Sequence, residues 1–386
     1  MRITKLTVIL MAGLFLAPAP CFLQGEPVIS GYLDSSVSLG AGAGSSPAFL
    51  YGIEEYANIR LQARLREGAA FYGSLNLLAV SGTYAEAARN AALRDAAVWG
   101  ASSALTAGAN YAAALELERL YVKISPETAD FQAGLIRTAF GYGYVFGPMD
   151  FLNPRNPLLP DSRPRAVLGA DLAYYPAADL KLQGFTAAAG NPFAGSGAGT
   201  LGGLAGEYHG EWLSLQGLYV FESPGPAPRG IHRFGLSVKA ELGLAAELLY
   251  TCDPRTPEGG LAASAGFDYS LLDGKLYVLA EYLYSGDRSS TAASLGFRGN
   301  HYLFAQGRYR LSDYTSLGLG CMAAPEDPSF TPVITAEHEL FQGLTLNLTC
   351  QIPLGSSGNG EFGPLPSGAA GPGRYFYSTV KVRLRF

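Results

Sequence analysis

Apolar and polar side chains alternate one for one over several stretches of this chain. From Phe376 to Phe386, the residues Phe376, Val380, Val382, Leu384 and Phe386 share one parity, and Tyr377, Thr379, Lys381, Arg383 and Arg385 share the other. Residues 58–66 set Asn58, Arg60, Gln62, Arg64 and Arg66 against Ile59, Leu61, Ala63 and Leu65. Around 303–311, Gln306, Arg308 and Arg310 oppose Leu303, Ala305, Gly307, Tyr309 and Leu311. Around 344–352, Thr345, Asn347, Thr349 and Gln351 oppose Leu344, Leu346, Leu348, Cys350 and Ile352. A period of two is the side-chain period of a β-strand. A cationic strand face does not fit an ordinary protein core. It fits a closed barrel with water inside and lipid outside. The stretch 111–124 holds the period less well: Glu116 and Glu118 face one way and Arg119 interrupts, which a one-residue bulge would repair.

Turn signals divide the chain evenly. Tight turns are expected at 66–68, 125–128, 176–179, 209–210, 241–243, 272–274, 311–313 and 341–343. Between them lie longer stretches rich in Gly, Pro, Ser and Asp: 41–51, 81–110, 142–165, 190–200, 222–229, 253–260, 286–299, 324–329 and 354–373. Short turns alternating with long loops distinguish the two ends of a membrane barrel. The segments between these signals predict eighteen strands, the first over 28–40 and the last over 374–386, or sixteen if one hairpin is miscounted. The expected fold is all-β, a single transmembrane antiparallel β-barrel over 26–386, with both ends of the sheet on the short-turn side. Closure leaves no sheet edge and satisfies the backbone within lipid. One loop departs from the β pattern. Residues 84–98 are alanine-rich with charges at helical spacing, so a short helix is expected there, lying on the rim in preference to acting as a latch or plug.

The last strand, closing on Phe386, resembles the C-terminal signal of bacterial outer-membrane barrels. That resemblance implies outer-membrane lipid as surroundings and recognition of the strand by the barrel assembly machinery. The segment Gly141-Tyr-Gly-Tyr-Val-Phe-Gly-Pro-Met-Asp-Phe-Leu-Asn-Pro-Arg-Asn-Pro157, with the tyrosine-bearing strand that follows at Leu168–Tyr175, is similar to a segment of several large porin-like families. The match spans about 35 residues and singles out no one family. General porins use their third outer loop as a constriction, so the resemblance implies a pore role for Asp150, Arg155, Asp161, Arg163 and Arg165. The alternative is a proline-braced surface loop whose arginines pair with its own aspartates.

Composition adds context. Arg2 and Lys5 precede an apolar run from Leu6 to Leu16, followed by small residues and proline, as in an export signal over 1–25. Cleavage is expected between 19 and 25; Pro20 disfavours a lipoprotein reading of Cys21. Removing residues 1–25 leaves 361 of the 386 residues and takes the net charge from −5 to −7 with the loss of Arg2 and Lys5. That mildly acidic balance offers no reason to expect a nucleic-acid partner. Cys252, Cys321 and Cys350 are scattered and form neither a disulfide framework nor a zinc spacing. Glycine (49) and tyrosine (23) are abundant while charged residues are 15%, which favours a membrane barrel over a soluble enzyme.

Candidate chemistry is sparse. In a closed barrel the last strand pairs with the first, so Lys381, Arg383 and Arg385 should stand near Arg60, Arg64 and Arg66 as one cationic wall, with Arg308 and Arg310 further round. Solvation at the barrel end is the plainer account of Arg66, Arg383 and Arg385. Glu116, Glu118, Glu281, Glu337 and Glu339 are expected to be lumenal carboxylates; opposed charges across water set ion preference. None of the four histidines joins a recognisable nucleophile pattern, and no phosphate loop or metal cluster is evident. No cofactor and no catalysis are expected. These observations support passive diffusion of small hydrophilic solutes, with anion preference a hypothesis that rests on the Arg60, Arg64, Lys381 and Arg383 cluster, against two alternatives: a surface-binding protein or adhesin built on long loops, and a transporter of hydrophobic substrates. The last would need an N-terminal hatch, for which strand-like sequence from Val28 leaves no room.

Overall fold

The structure, a computed structural model, describes residues 26–41, 49–66, 68–83, 102–108, 110–153, 166–189, 199–223, 230–254, 259–286, 299–355, 361–362 and 376–386. The expected export signal, the 84–98 helix and Arg155, Asp161, Arg163 and Arg165 lie outside the described residues. The strands are β1 (Val28–Ala41), β2 (Phe49–Arg66), β3 (Ala69–Gly82), β4 (Ser102–Ala107), β5 (Tyr111–Ile124), β6 (Ala129–Ile136), β7 (Val167–Ala177), β8 (Leu180–Ala189), β9 (Gly199–His209), β10 (Leu213–Ser223), β11 (Ile231–Ala240), β12 (Leu244–Cys252), β13 (Gly260–Leu271), β14 (Leu276–Ser285), β15 (His301–Arg310), β16 (Thr315–Ala324), β17 (Ser329–Phe341), β18 (Leu344–Gln351) and β19 (Phe376–Arg385).

All pairings are antiparallel, and β1 bonds to β2 on one side and β19 on the other, so the sheet closes. Eighteen strands form that ring, as the turn spacing predicts. The additional strand β4 falls within the stretch read as the 81–110 loop. It pairs with the upper part of β5 (Ala112–Glu116), while β6 pairs with the lower part (Leu120–Ile124). A short β6 therefore leaves a stretch of the β5 edge that β4 occupies. At the seam, Gly31 and Phe386 exchange backbone hydrogen bonds of 2.9 and 3.1 Å. The terminal residue thus extends the β1–β19 ladder to the last position.

The tight turns gather at one end with the two termini of the sheet. Gly243 shows why the turn residues matter. Its φ of +79° is strained for an L side chain, and a Cβ there would overlap the carbonyl oxygen of Asp268 on the neighbouring strand.

Strand parity sorts the side chains as the sequence pattern requires. On β1, Leu33, Val37 and Leu39 are exposed on the outer face, while Tyr32, Asp34, Ser36 and Ser38 are buried toward the lumen. Phe376 and Phe386 stand at opposite ends of the last strand and are both exposed. Ten residues of tilted strand between them correspond to an apolar band of about 25 Å. The expected bulge on β5 is present: the register shifts between Ser74 and Leu75, opposite Arg119 and Leu117. Glu118 is the extra residue, and both Glu118 and Arg119 reach the lumen because of it.

Candidate pore and its constriction

After Ile136 the chain leaves the wall and residues 137–153 run across the inside of the barrel. A ladder of side-chain acceptors on successive strands sets their path. Gly141 N–H donates to Gln216 Oε1 on β10 and Tyr142 N–H to Ser237 Oγ on β11 at 3.0 Å. Gly143 N–H donates to Glu247 Oε1 on β12, and Met149 N–H donates to Oε2 of the same carboxylate at 3.2 Å. Val145 and Phe146 N–H donate to Glu281 Oε2 on β14 at 2.6 and 3.4 Å. The buried carboxylates Glu247 and Glu281 thereby receive backbone donors, which is the condition for burying such groups at tolerable cost. The Gly-Tyr-Gly-Tyr spelling has a geometric reason. Gly141 has φ +87°, and a Cβ there would overlap the Glu247 carboxylate.

Apolar packing fixes the same segment. Ile136, Phe140, Met149 and Leu152 are buried against Val167, Phe185, Leu201, Leu218 and Val220, the lumenal side chains of β7 to β10. At its far end Phe146 joins Leu283, Tyr302, Met322 and Phe362. The lumenal face beneath the loop is therefore apolar, against the simple expectation that inward positions are polar. Losing one such fully buried side chain costs about 2–5 kcal/mol. Two tyrosines add hydrogen bonds: Tyr142 Oη donates to Glu207 Oε1 and Tyr144 Oη to the Gly243 carbonyl, both at 2.9 Å. Burial, reinforced by Glu207 beside Tyr142 and Asp268 beside Tyr144, pushes both phenols well above the ordinary tyrosine range. Thr138 N–H to Asn153 Oδ1 (3.0 Å) ties the two ends of the segment together. Asp150 lies in a tight turn closed by its own N–H on the Gly147 carbonyl at 2.9 Å.

The wall made by β19, β1, β2, β3 and β5 carries the charge. Arg383 pairs with Asp34 through two hydrogen bonds of 2.7 Å, and its guanidinium lies over the Tyr32 ring at 4.7 Å. Arg60 approaches the same ring at 5.7 Å and donates to Asn58 Oδ1 at 2.7 Å. The expected proximity of Arg60 to Arg383 is thus present, with Tyr32 shared between them. Lys381 is half-buried on the lumenal face of β19, one inward position from Arg383. Arg119 lies over Tyr72 at 5.8 Å. Among the described residues neither Arg60 nor Arg119 has a carboxylate partner. Glu118 accepts from Asn58, Ser74 and Arg137, and Glu116 accepts from Asn76.

The remaining candidates spread out. Arg64 is exposed near the short-turn end of β2, and Arg385 and Arg310 lie at the same end of their strands. Arg308 has lumenal parity but is exposed and paired with Glu337 at 3.0 Å. Sequence reasoning missed Asp34, Arg119, Gln216, Ser237 and Glu247. Asp34, Gln216, Ser237 and Glu247 follow lumenal parity on their strands, which was the available signal, whereas Arg119 is turned inward only by the β5 bulge. Among the described residues no group of three or more His, Cys, Asp or Glu side chains is arranged to hold a metal ion.

No protein-family model matches the chain, and no curated protein matches it in sequence. Among solved structures, an engineered triple mutant of the Rhodopseudomonas blastica porin is similar at 14% identity and a TM-score of 0.47, with 94% of this chain and 100% of that one covered. A second engineered mutant of that porin gives 12% identity and a TM-score of 0.47 at the same coverage. Such a likeness is too loose to transfer any property of those porins to this chain.

Proposed function

We propose that the chain is an outer-membrane channel for passive diffusion of small hydrophilic solutes, with a preference for anions. The reading rests on a closed barrel with an apolar outer face, and on a segment of chain fastened inside it that narrows the lumen without need of a plug domain. The observation that carries it is the asymmetry of the two walls. The 137–153 segment occupies the β7–β15 side, and the acids Glu247 and Glu281 there are engaged by its backbone. Across from them Arg60 and Arg119 lie along the wall without carboxylate partners among the described residues, beside Lys381 and Arg383. A fixed cationic wall facing water attracts anions and repels cations. Arg155, Asp161, Arg163 and Arg165, which continue the constricting segment, are proposed to line its rim.

The test is single-channel recording in a planar bilayer under a salt gradient. Discrete, stable steps with a reversal potential on the anion side are expected. Charge reversal of Arg60 and Arg119 together to Glu should move that potential toward cations. A correctly inserted barrel that conducts nothing would sink the channel reading; a potential indifferent to both substitutions would sink the anion preference alone.

A further inference from the structure

On the described strands, leaving aside Arg66 beyond the register shift that ends β2, every Asp, Glu, Lys and Arg but one has lumenal parity. The exception is Glu55. It stands opposite Ser35 on β1 and Ala79 on β3, both on the outer face, and is exposed there. Ser35 Oγ donates to Glu55 Oε1 at 2.8 Å, which leaves Oε2 for another donor. Its depth is not that of a rim residue. Tyr51 lies four positions nearer the long-loop end on the same strand face, and Ser35 is also paired with Val382, between the exposed Phe376 and Phe386 that bound the apolar band. A carboxyl group on the lipid face of a barrel is disfavoured more strongly the deeper it sits. The surface around it is low: Ser35, Ala79 and Ala113 flank Glu55 in one paired row.

We propose that the outer face of β1, β2 and β3 is a contact surface for a second copy of this chain, with Glu55 at its centre. The patch is self-complementary. Ser35 and Glu55 stand side by side, so a two-fold axis along the membrane normal brings Ser35 of one copy opposite Glu55 of the other, twice, and each Ser35 O–H, with one proton to donate, can exchange its own Glu55 for the partner's. A two-fold interface requires that same-patch complementarity. Small side chains along the row let the two sheets approach, and Val37, Ile53, Leu33 and Leu77 around it supply exposed apolar contact.

The contact is tested by native mass measurement of the full-length protein extracted from membranes in mild detergent, alongside Glu55→Leu and Glu55→Gln. The wild type is expected to run as more than one barrel. Glu55→Leu should raise its dissociation constant at least tenfold, and Glu55→Gln, which retains an acceptor, less. A lipid-exposed Glu55 gives the opposite result: a wild-type monomer, or an assembly unaffected by Glu55→Leu in a barrel that resists urea better. Either overturns the proposal. Cross-linking in intact membranes offers an independent readout, with Cys252, Cys321 and Cys350 replaced by Ser. In the row Val382–Ser35–Glu55–Ala79 the proposed axis sets Ala79 of one copy opposite Val382 of the other, so the double variant Ala79→Cys, Val382→Cys should link two chains and Leu182→Cys, on the outer face of β8, should not; no link in the double variant also overturns it. None of these outcomes depends on whether the barrel conducts.

Discussion

Removing the acceptors that hold the constricting segment should loosen it without unfolding the barrel. Glu247→Ala strips partners from Gly143 N–H and Met149 N–H. A buried donor left unpaired costs about 1–3 kcal/mol. The two together cost about 2 kcal/mol if lumenal water reaches them and about 6 kcal/mol if it does not. At the lower figure the ratio of released to docked segment rises roughly 30-fold, at 1.4 kcal/mol per factor of ten. Adding Glu281→Ala frees Val145 and Phe146 N–H as well. The total then reaches at least about 4 kcal/mol, or roughly a thousandfold. Phe140, Met149 and Leu152 remain buried against the wall, each worth about 2–5 kcal/mol, so the docked state should persist as the major one. The assay is open-channel current at high bandwidth. The single substitution should add flicker between two conductance levels, and the double should lengthen the dwell in the larger one. If the double variant shows the noise and mean conductance of the wild type, the acceptor ladder does not hold the constriction and the reasoning fails.

The other consequences can be stated briefly. Met149→Ala, at a fully buried position, should lower stability by about 2–5 kcal/mol, read as a shift in the urea midpoint of the detergent-folded barrel. Asp34→Asn removes the charge that neutralises Arg383 and should move the reversal potential further toward anions, opposite in sign to charge reversal at Arg60 and Arg119. Tyr142 and Tyr144 keep their protons to higher pH than free tyrosine, chiefly because they are buried. Since the folded value is raised, their stabilisation is complete below the unfolded pKa of about 10 and is lost as pH rises through the folded value. Ultraviolet titration of the folded barrel should therefore show two fewer late-ionising phenols in the Tyr142→Phe, Tyr144→Phe double variant, and equal curves would refute the docked geometry.

How much of this was legible beforehand depends on the range of the information needed. Strand positions follow from a period of two and from turn residues such as Gly243, both local, so the ring of eighteen strands could be counted from the chain. The bulge at Glu118 was legible too, because two carboxylates and an arginine in the wrong order leave a one-residue repair as the simple solution. β4 was not: six residues in a glycine- and alanine-rich stretch carry no alternation strong enough to separate them from a loop. The 137–153 segment inside the barrel was legible as a segment but not as a structure. Its Gly-Tyr-Gly-Tyr run follows from acceptors on β10 to β14 that lie 75 to 136 residues away, and each reads alone as one more inward polar residue. The same distance hid Asp34, 349 positions from Arg383. Closure puts β1 beside β19, but only the register, with Asp34 opposite Arg383, turns a predicted wall of bare cations into a wall whose charge is partly cancelled. On the proposed channel reading, net selectivity is set by which arginines the register leaves without an acid. That places the weight on Arg60 and Arg119, one foreseen and the other turned inward by a bulge.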